Sequence, residues 1–168
     1  MKSLNYRQSS LFSLICASIT TSILALIIFV APAWSLNYNN RTLLEADFSH
    51  QDLTDSSFDH ANLRGSNFSH SNLQNVRLFS ANLAGVNFEG ANLAYADLES
   101  TRLTRANLTN AVLEGAFVTN AIFDRAIIDG ADFTDVLLRP TTQKQLCEIA
   151  KGTNQTTGRE TRETLFCD

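Results

Sequence analysis

The sequence predicts an all-β solenoid closed at its C-terminal end by a small α-helical cap, and three observations predict it. A large apolar residue returns at every fifth position from Phe48 to Leu138 without exception. Alanine stands two positions before it in 11 of the 19 repeats, and Ser, Thr, Val or, once, Gln51 in the rest. The pattern stops at Pro140, and the tail beyond it carries helical spacing and two cysteines.

The chain opens with an export segment, read as a signal peptide over residues 1–35. Lys2 and Arg7 precede an unbroken apolar run at residues 23–30, and Ala31-Pro32-Ala33 and Ala33-Trp34-Ser35 both fit a small-x-small cleavage site. Cleavage after Ser35, or after Ala33, starts the mature chain near Leu36. The other reading is an uncleaved anchor over residues 11–30, the only membrane contact expected, although Ser13, Ser18, Thr20, Thr21 and Ser22 interrupt it. Either way the chain after residue 35 lies outside the cytoplasm. Cys16, inside the apolar run and with no small residue before it, reads as a buried thiol. Residues 36–45 read as an N-terminal linker or cap.

Over residues 46–140 the large positions are Phe48, Leu53, Phe58, Leu63, Phe68, Leu73, Leu78, Leu83, Phe88, Leu93, Leu98, Leu103, Leu108, Leu113, Val118, Phe123, Ile128, Phe133 and Leu138. A helix repeats its apolar face every 3.6 residues and a strand every 2, so a strict period of five fits neither. It is satisfied if each pentapeptide is one short side, with its first and third residues inward, followed by a corner. Stacked turns of such sides pair through backbone hydrogen bonds and bury one continuous core. A bulky residue at a small position, as in Ala96→Leu, or a charge at a large one, as in Leu98→Asp, is expected to abolish cooperative folding.

Ala61-Asn62-Leu63-Arg64-Gly65, Ala81-Asn82-Leu83-Ala84-Gly85 and Ala91-Asn92-Leu93-Ala94-Tyr95 resemble the A(D/N)LXX consensus of the pentapeptide-repeat family. That resemblance implies a right-handed quadrilateral β-helix, here of about five coils over residues 46–140.

Residues 141–168 read as the cap. Residues 141–151 suit a helix with Thr141 or Thr142 as N-cap, Gly152 as its stop, and Leu146, Ile149 and Ala150 facing the last coil. A second short helix is expected over residues 159–166. Cys147 and Cys167 are the two cysteines after the export segment, and an even pair outside the cytoplasm reads as a disulfide, with free thiols as the alternative. The tail, with Ala150-Lys151-Gly152-Thr153-Asn154, Thr157-Gly158, Thr161-Arg162 and Leu165-Phe166-Cys167, also resembles the Cys-bridged cap of thylakoid-lumen members in cyanobacteria and chloroplasts. Together with the signal this points to the thylakoid lumen or the periplasm.

The 13 basic and 17 acidic residues leave a net charge of −4, and 9% of residues are aromatic, which argues against nucleic acid as a partner. The histidines cluster at His50, His60 and His70, no phosphate-binding glycine loop is present, and the acids follow the repeat. The chain therefore reads as a non-enzyme without cofactor or metal: a rigid protein-binding or scaffolding module whose partner is another protein or a second copy of itself. Two other readings exist. The acidic rod, with 12 acids against 6 arginines over residues 46–140, resembles the family's DNA-mimic inhibitors of gyrase, which act in the cytoplasm. His50 and His70, one coil apart, would suit a metal-binding or pH-responsive surface.

Outward positions turn apolar late in the rod, at Val112, Phe117, Ile122 and Ile127. Phe79, Phe117 and Leu137 share one side under a twenty-residue coil and form the expected protein-contact surface, unless the cap or residues 36–45 fold over it.

Overall fold

The computed structural model describes residues 36–168, so the export segment and Cys16 lie outside the described residues. From Asn37 onward the chain winds with a period of twenty residues. Sixteen parallel bridges each join a residue to the one twenty positions later, from Asn37 with Ser57 to Val112 with Asp132. Each side contributes one bridge residue and then turns, which is why no long strand develops.

The middle of the rod shows the bonding that repeats throughout. Phe68 N–H donates to the Asn87 carbonyl at 2.7 Å, Asn87 N–H donates to the Ser66 carbonyl at 2.9 Å, and His70 N–H donates to the Glu89 carbonyl at 2.8 Å. Ser71 N–H closes the corner on the Phe68 carbonyl at 3.2 Å. The third residue of that turn, His70, has φ of 56°, and every fifth residue from Asn40 to Asp135 repeats this left-handed conformation. Asn, Asp, His and Gly tolerate it. Tyr95 and Arg105 adopt it as well, at roughly 1–2 kcal/mol each, because the coils above and below hold them there, and Arg125 adopts it on the last coil. The fifth position is thus a corner before it is a surface.

Inside, the large positions from Phe48 to Phe133 are all buried, and Leu138 is half-buried at the end of the stack. Phe48 and Phe68 stack at 4.9 Å, and Phe68 and Phe88 follow at 5.3 Å. Phe58, two sides on and facing them across the coil, meets Phe48 and Phe68 edge-on. The small positions let successive coils close to hydrogen-bonding distance: Ala91, Ala96, Ala106, Ala111 and Ala131 have no exposed surface.

Residues 36–45 are not a linker or cap. They form two further sides of the solenoid, with Asn37 and Thr42 in the ladder and the Tyr38 ring stacked on Phe58 at 4.7 Å. Leu43 and Tyr38 continue the five-residue step downward.

Helix α1 spans Pro140–Ile149. Neither Thr141 nor Thr142 caps it. Arg139 is the N-cap residue, without a side-chain bond, and Pro140 opens the helix, since its ring presets φ and it has no N–H to leave unpaired. The helix ends on an extended Ala150, ahead of Gly152. Leu146 and Ala150 are buried, whereas Ile149 is exposed. Helix α2 is a single turn, Thr161–Thr164. Residues 159 and 160 stay extended because Glu160 pairs antiparallel with Thr153. A disulfide joins Cys147 of α1 to Cys167 beyond α2, with an S–S distance of 2.00 Å.

Candidate functional site

The last coil would leave an open stack of apolar rings and unpaired backbone, and the cap closes part of it by side-chain chemistry. Asn154, almost wholly buried, turns its amide nitrogen to the carbonyls of Gly130 at 2.8 Å and of Asn110 and Ala111 at 3.2 Å. Its carbonyl oxygen accepts from the Thr156 and Thr157 backbone. Thr164 Oγ1 accepts from Phe133 N–H at 3.1 Å, where the next coil would have offered a carbonyl. Gly130 N–H finds Lys151 O at 2.8 Å. Gly152, at φ of 82°, lets this approach happen, since a Cβ there would stand 3.0 Å from the Gly130 nitrogen.

Arg159 pins the outside of the junction. Its Nη1 lies 2.7 Å from Glu114, 3.2 Å from Asp132 and 3.0 Å from Thr134 Oγ1, so it spans two coils. Burial pushes the Asp132 carboxyl up, but bonds from Thr134 and Thr157 and the Arg159 charge together hold it below the usual carboxylate range. On the adjacent side, several coils toward the N-terminal end, buried Asp59 pairs with Arg77 and accepts the Phe79 N–H at 3.1 Å.

Around this end the surface is apolar. Phe117 is 59% exposed and Leu137 is 90% exposed, with Ile122, Ile127 and Ile149 exposed beside them. The ladder runs Arg77, Asp97, Phe117. Phe79 therefore belongs to a neighbouring column, half-buried with its ring edge on His60 at 5.6 Å. The expected patch is split: Phe117 and Leu137 lie toward the cap, and Phe79 lies two coils away among polar residues. His50 and His70 stack at 5.2 Å, and among the described residues no three His, Cys, Asp or Glu side chains gather into a metal-binding group. Among the same residues, no helix is long and apolar enough to cross a membrane.

A family model described as the pentapeptide repeat region matches residues 35–108, and one described as pentapeptide repeats (8 copies) matches residues 101–139. A pentapeptide repeat protein from the Arabidopsis thaliana thylakoid lumen is 36% identical, over 80% of this chain and 86% of that one, with a TM-score of 0.47. This chain belongs to the pentapeptide-repeat family. Its members form right-handed β-helices and are non-catalytic repeat proteins, some of them in the thylakoid lumen. A pentapeptide repeat protein from the cyanobacterium Cyanothece 51142 is 28% identical, over 58% of this chain and 64% of that one, with a TM-score of 0.51. The chloroplastic thylakoid lumenal 15 kDa protein 1 of Arabidopsis thaliana is 55% identical over 38 residues, which are 23% of this chain and 17% of that protein.

Within the pentapeptide-repeat frame, sequence reasoning missed what Asn154, Arg159 and Thr164 do. Asn154 stands out in the sequence only as part of the cap resemblance. The one local signal is the Asn154-x-Thr156-Thr157-Gly158 run, which suits an Asx-type turn.

Proposed function

We propose that this pentapeptide-repeat protein is a thylakoid-lumen protein that binds another protein through the apolar end of its rod, around Phe117 and Leu137. The observation that carries the reading is the exposure of Leu137, at 90%, and Phe117, at 59%, at the cap end of a rod whose other outward ladder positions are mostly Asn, Asp, Arg and Ser. Large apolar side chains held in water by a rigid frame are what a partner surface needs, because little ordering entropy remains to be lost on docking. The ladder and the cap supply that rigidity. The lumenal location draws on the export segment and on the lumenal relatives.

The test is crosslinking and pulldown from lumen and membrane fractions with the mature chain, comparing wild type with Phe117→Ser/Leu137→Ser. The double variant is expected to lose the captured protein while keeping its fold. Capture undiminished by the double substitution rejects this surface, and recovery of the native chain outside the lumen rejects the location.

A further inference from the structure

The last coil carries an edge that the cap leaves open on two adjacent sides. One coil earlier, the amides of Leu98, Ser100, Leu103 and Arg105 donate to the carbonyls of Phe117, Thr119, Ile122 and Asp124 at 2.8–2.9 Å. Their successors are Val118, Asn120, Phe123 and Arg125, and among the described residues none of these four amides has an acceptor. The chain leaves the ladder after Val136 and rises into α1 at Pro140 instead of laying down another bonded side. The carbonyls of Ala116 and Ala121 are open in the same way, whereas one coil below Ala96 and Thr101 accept from Phe117 and Ile122 at 2.9 and 3.0 Å. On each of the other two sides the cap takes one amide, Lys151 on Gly130 and Thr164 on Phe133, and crosses the edge there, so that on those sides only Ile128 and Asp135 keep an amide without an acceptor among the described residues.

Between this edge and α1 run two grooves of about 390 Å³ each. The first is lined by Val118, Asn120, Ile122, Leu138 and Arg139, the second by Phe123, Arg125, Leu146 and Gln145, and Thr142 borders both. Each side thus offers one acceptor and then two donors at alternate residues, over an apolar floor. An extended polypeptide complements that order of partial charges, since its own carbonyls and amides alternate at the same spacing. A phosphate or a nucleic-acid backbone does not, because it would meet the Ala116 and Ala121 carbonyls with like charge. The square N-terminal coil of a second copy would have to displace α1, while a single strand needs only the groove.

We propose that the open edge of residues 118–125, beneath α1, is a β-addition site that takes an extended, alternately apolar segment of another protein. The inference rests on the protein-binding reading above and names the chemistry of what is bound at that end.

A suitable probe is a synthetic peptide of the chain's own residues 96–106, because that segment already supplies carbonyls to Leu78, Ser80, Leu83 and Gly85 on the same two sides two coils below. Added to the mature protein at about 1 mM, it is expected to slow hydrogen exchange at Val118, Asn120, Phe123 and Arg125 by about tenfold or more, leaving Leu98 and Ser100 unchanged. Replacing its acceptor amides by esters weakens the effect, and Thr142→Trp, which plugs both grooves from the helix, removes it. Four amides already protected in the free protein would overturn the proposal, as would no protection at about 1 mM peptide or wild-type binding by a folded Thr142→Trp. Phe117→Ser separates the two readings. If that variant loses the natural partner but still protects the four amides with peptide, both stand. If the peptide fails while capture remains sensitive to Phe117, the groove alone is rejected.

Discussion

Asp132 has no exposed side-chain surface, and it meets Arg159 at 3.2 Å, so the last ladder residue of the solenoid is tied to the cap through a carboxylate sealed from water. Arg159 reaches Glu114 one coil below at the same time, which makes the junction a clamp over two coils.

This clamp gives the cap a definite response to acid. The folded Asp132 titrates below its usual range, its burial being outweighed by Thr134, Thr157 and Arg159. Its contribution is therefore complete above about pH 4, where the unfolded carboxyl is ionised, and is lost as pH falls through the lower folded value. Hydrogen exchange at Thr164 and Leu165 is expected to show the same cap stability at pH 7 and pH 5 and a loosened cap below about pH 4. In Asp132→Asn the cap starts weaker and that acid step disappears. Cap loosening already between pH 7 and pH 5 would assign control to a different group.

The core prediction concerns Phe68, fully buried between the rings of Phe48 and Phe88. Phe68→Ala removes both stacking contacts and leaves a cavity that the ladder on either side cannot collapse into. The expected loss is about 3–5 kcal/mol in urea denaturation, with the cooperative transition retained. A loss below about 1 kcal/mol would mean that the coils slide to fill the space.

The repeat was legible because one geometric demand is posed at every coil: a large side chain inward, a small one where backbones approach. Its beginning was less so. Tyr38 and Leu43 keep the large-residue step, but Leu36 and Arg41 stand at the small positions, where the first coil has no described coil beneath it to crowd. The cap was legible as helix and cysteine pair and opaque in its contacts. Asn154 reaches Ala111 and Thr164 reaches Phe133 across 43 and 31 residues, and no local pattern encodes such a meeting. The N-cap expectation failed for a local reason, since Pro140 itself serves at the start of α1.

The disulfide should act on the cap without holding the rod. Cys147 and Cys167 close a loop with a sequence separation of 20, and within that loop Asn154, Arg159 and Thr164 make their own bonds to the solenoid. Cys147→Ser/Cys167→Ser is expected to lower stability by up to about 3 kcal/mol and to speed exchange at Leu165 and Phe166. Exchange in the ladder around Leu83 should not change. Uniform acceleration along the whole chain would show that cap and solenoid unfold as one unit.

Two glycines at equivalent corners separate the cost of a left-handed backbone from the cost of crowding. Gly85 has φ of 68°, and a Cβ added there would meet no atom within 4 Å, while Gly130, at φ of 70°, would place that carbon 2.4 Å from Asn110 Oδ1 and 3.1 Å from the Thr153 carbonyl. Gly85→Ala therefore bears only the conformational term, about 1–2 kcal/mol, and Gly85→Asn less, since asparagine already serves at Asn75, Asn110 and Asn120. Gly130→Ala bears the same term and also drives Thr153 away, which strains the Lys151 and Asn154 bonds to Gly130. It is expected to cost more than Gly85→Ala by at least about 1 kcal/mol in urea denaturation, with the excess appearing as faster exchange in the cap. Equal costs at the two positions would mean that the cap rides loosely on the last coil, and the capped amides of Gly130 and Phe133 would then be no more protected than the open ones of Val118 and Phe123.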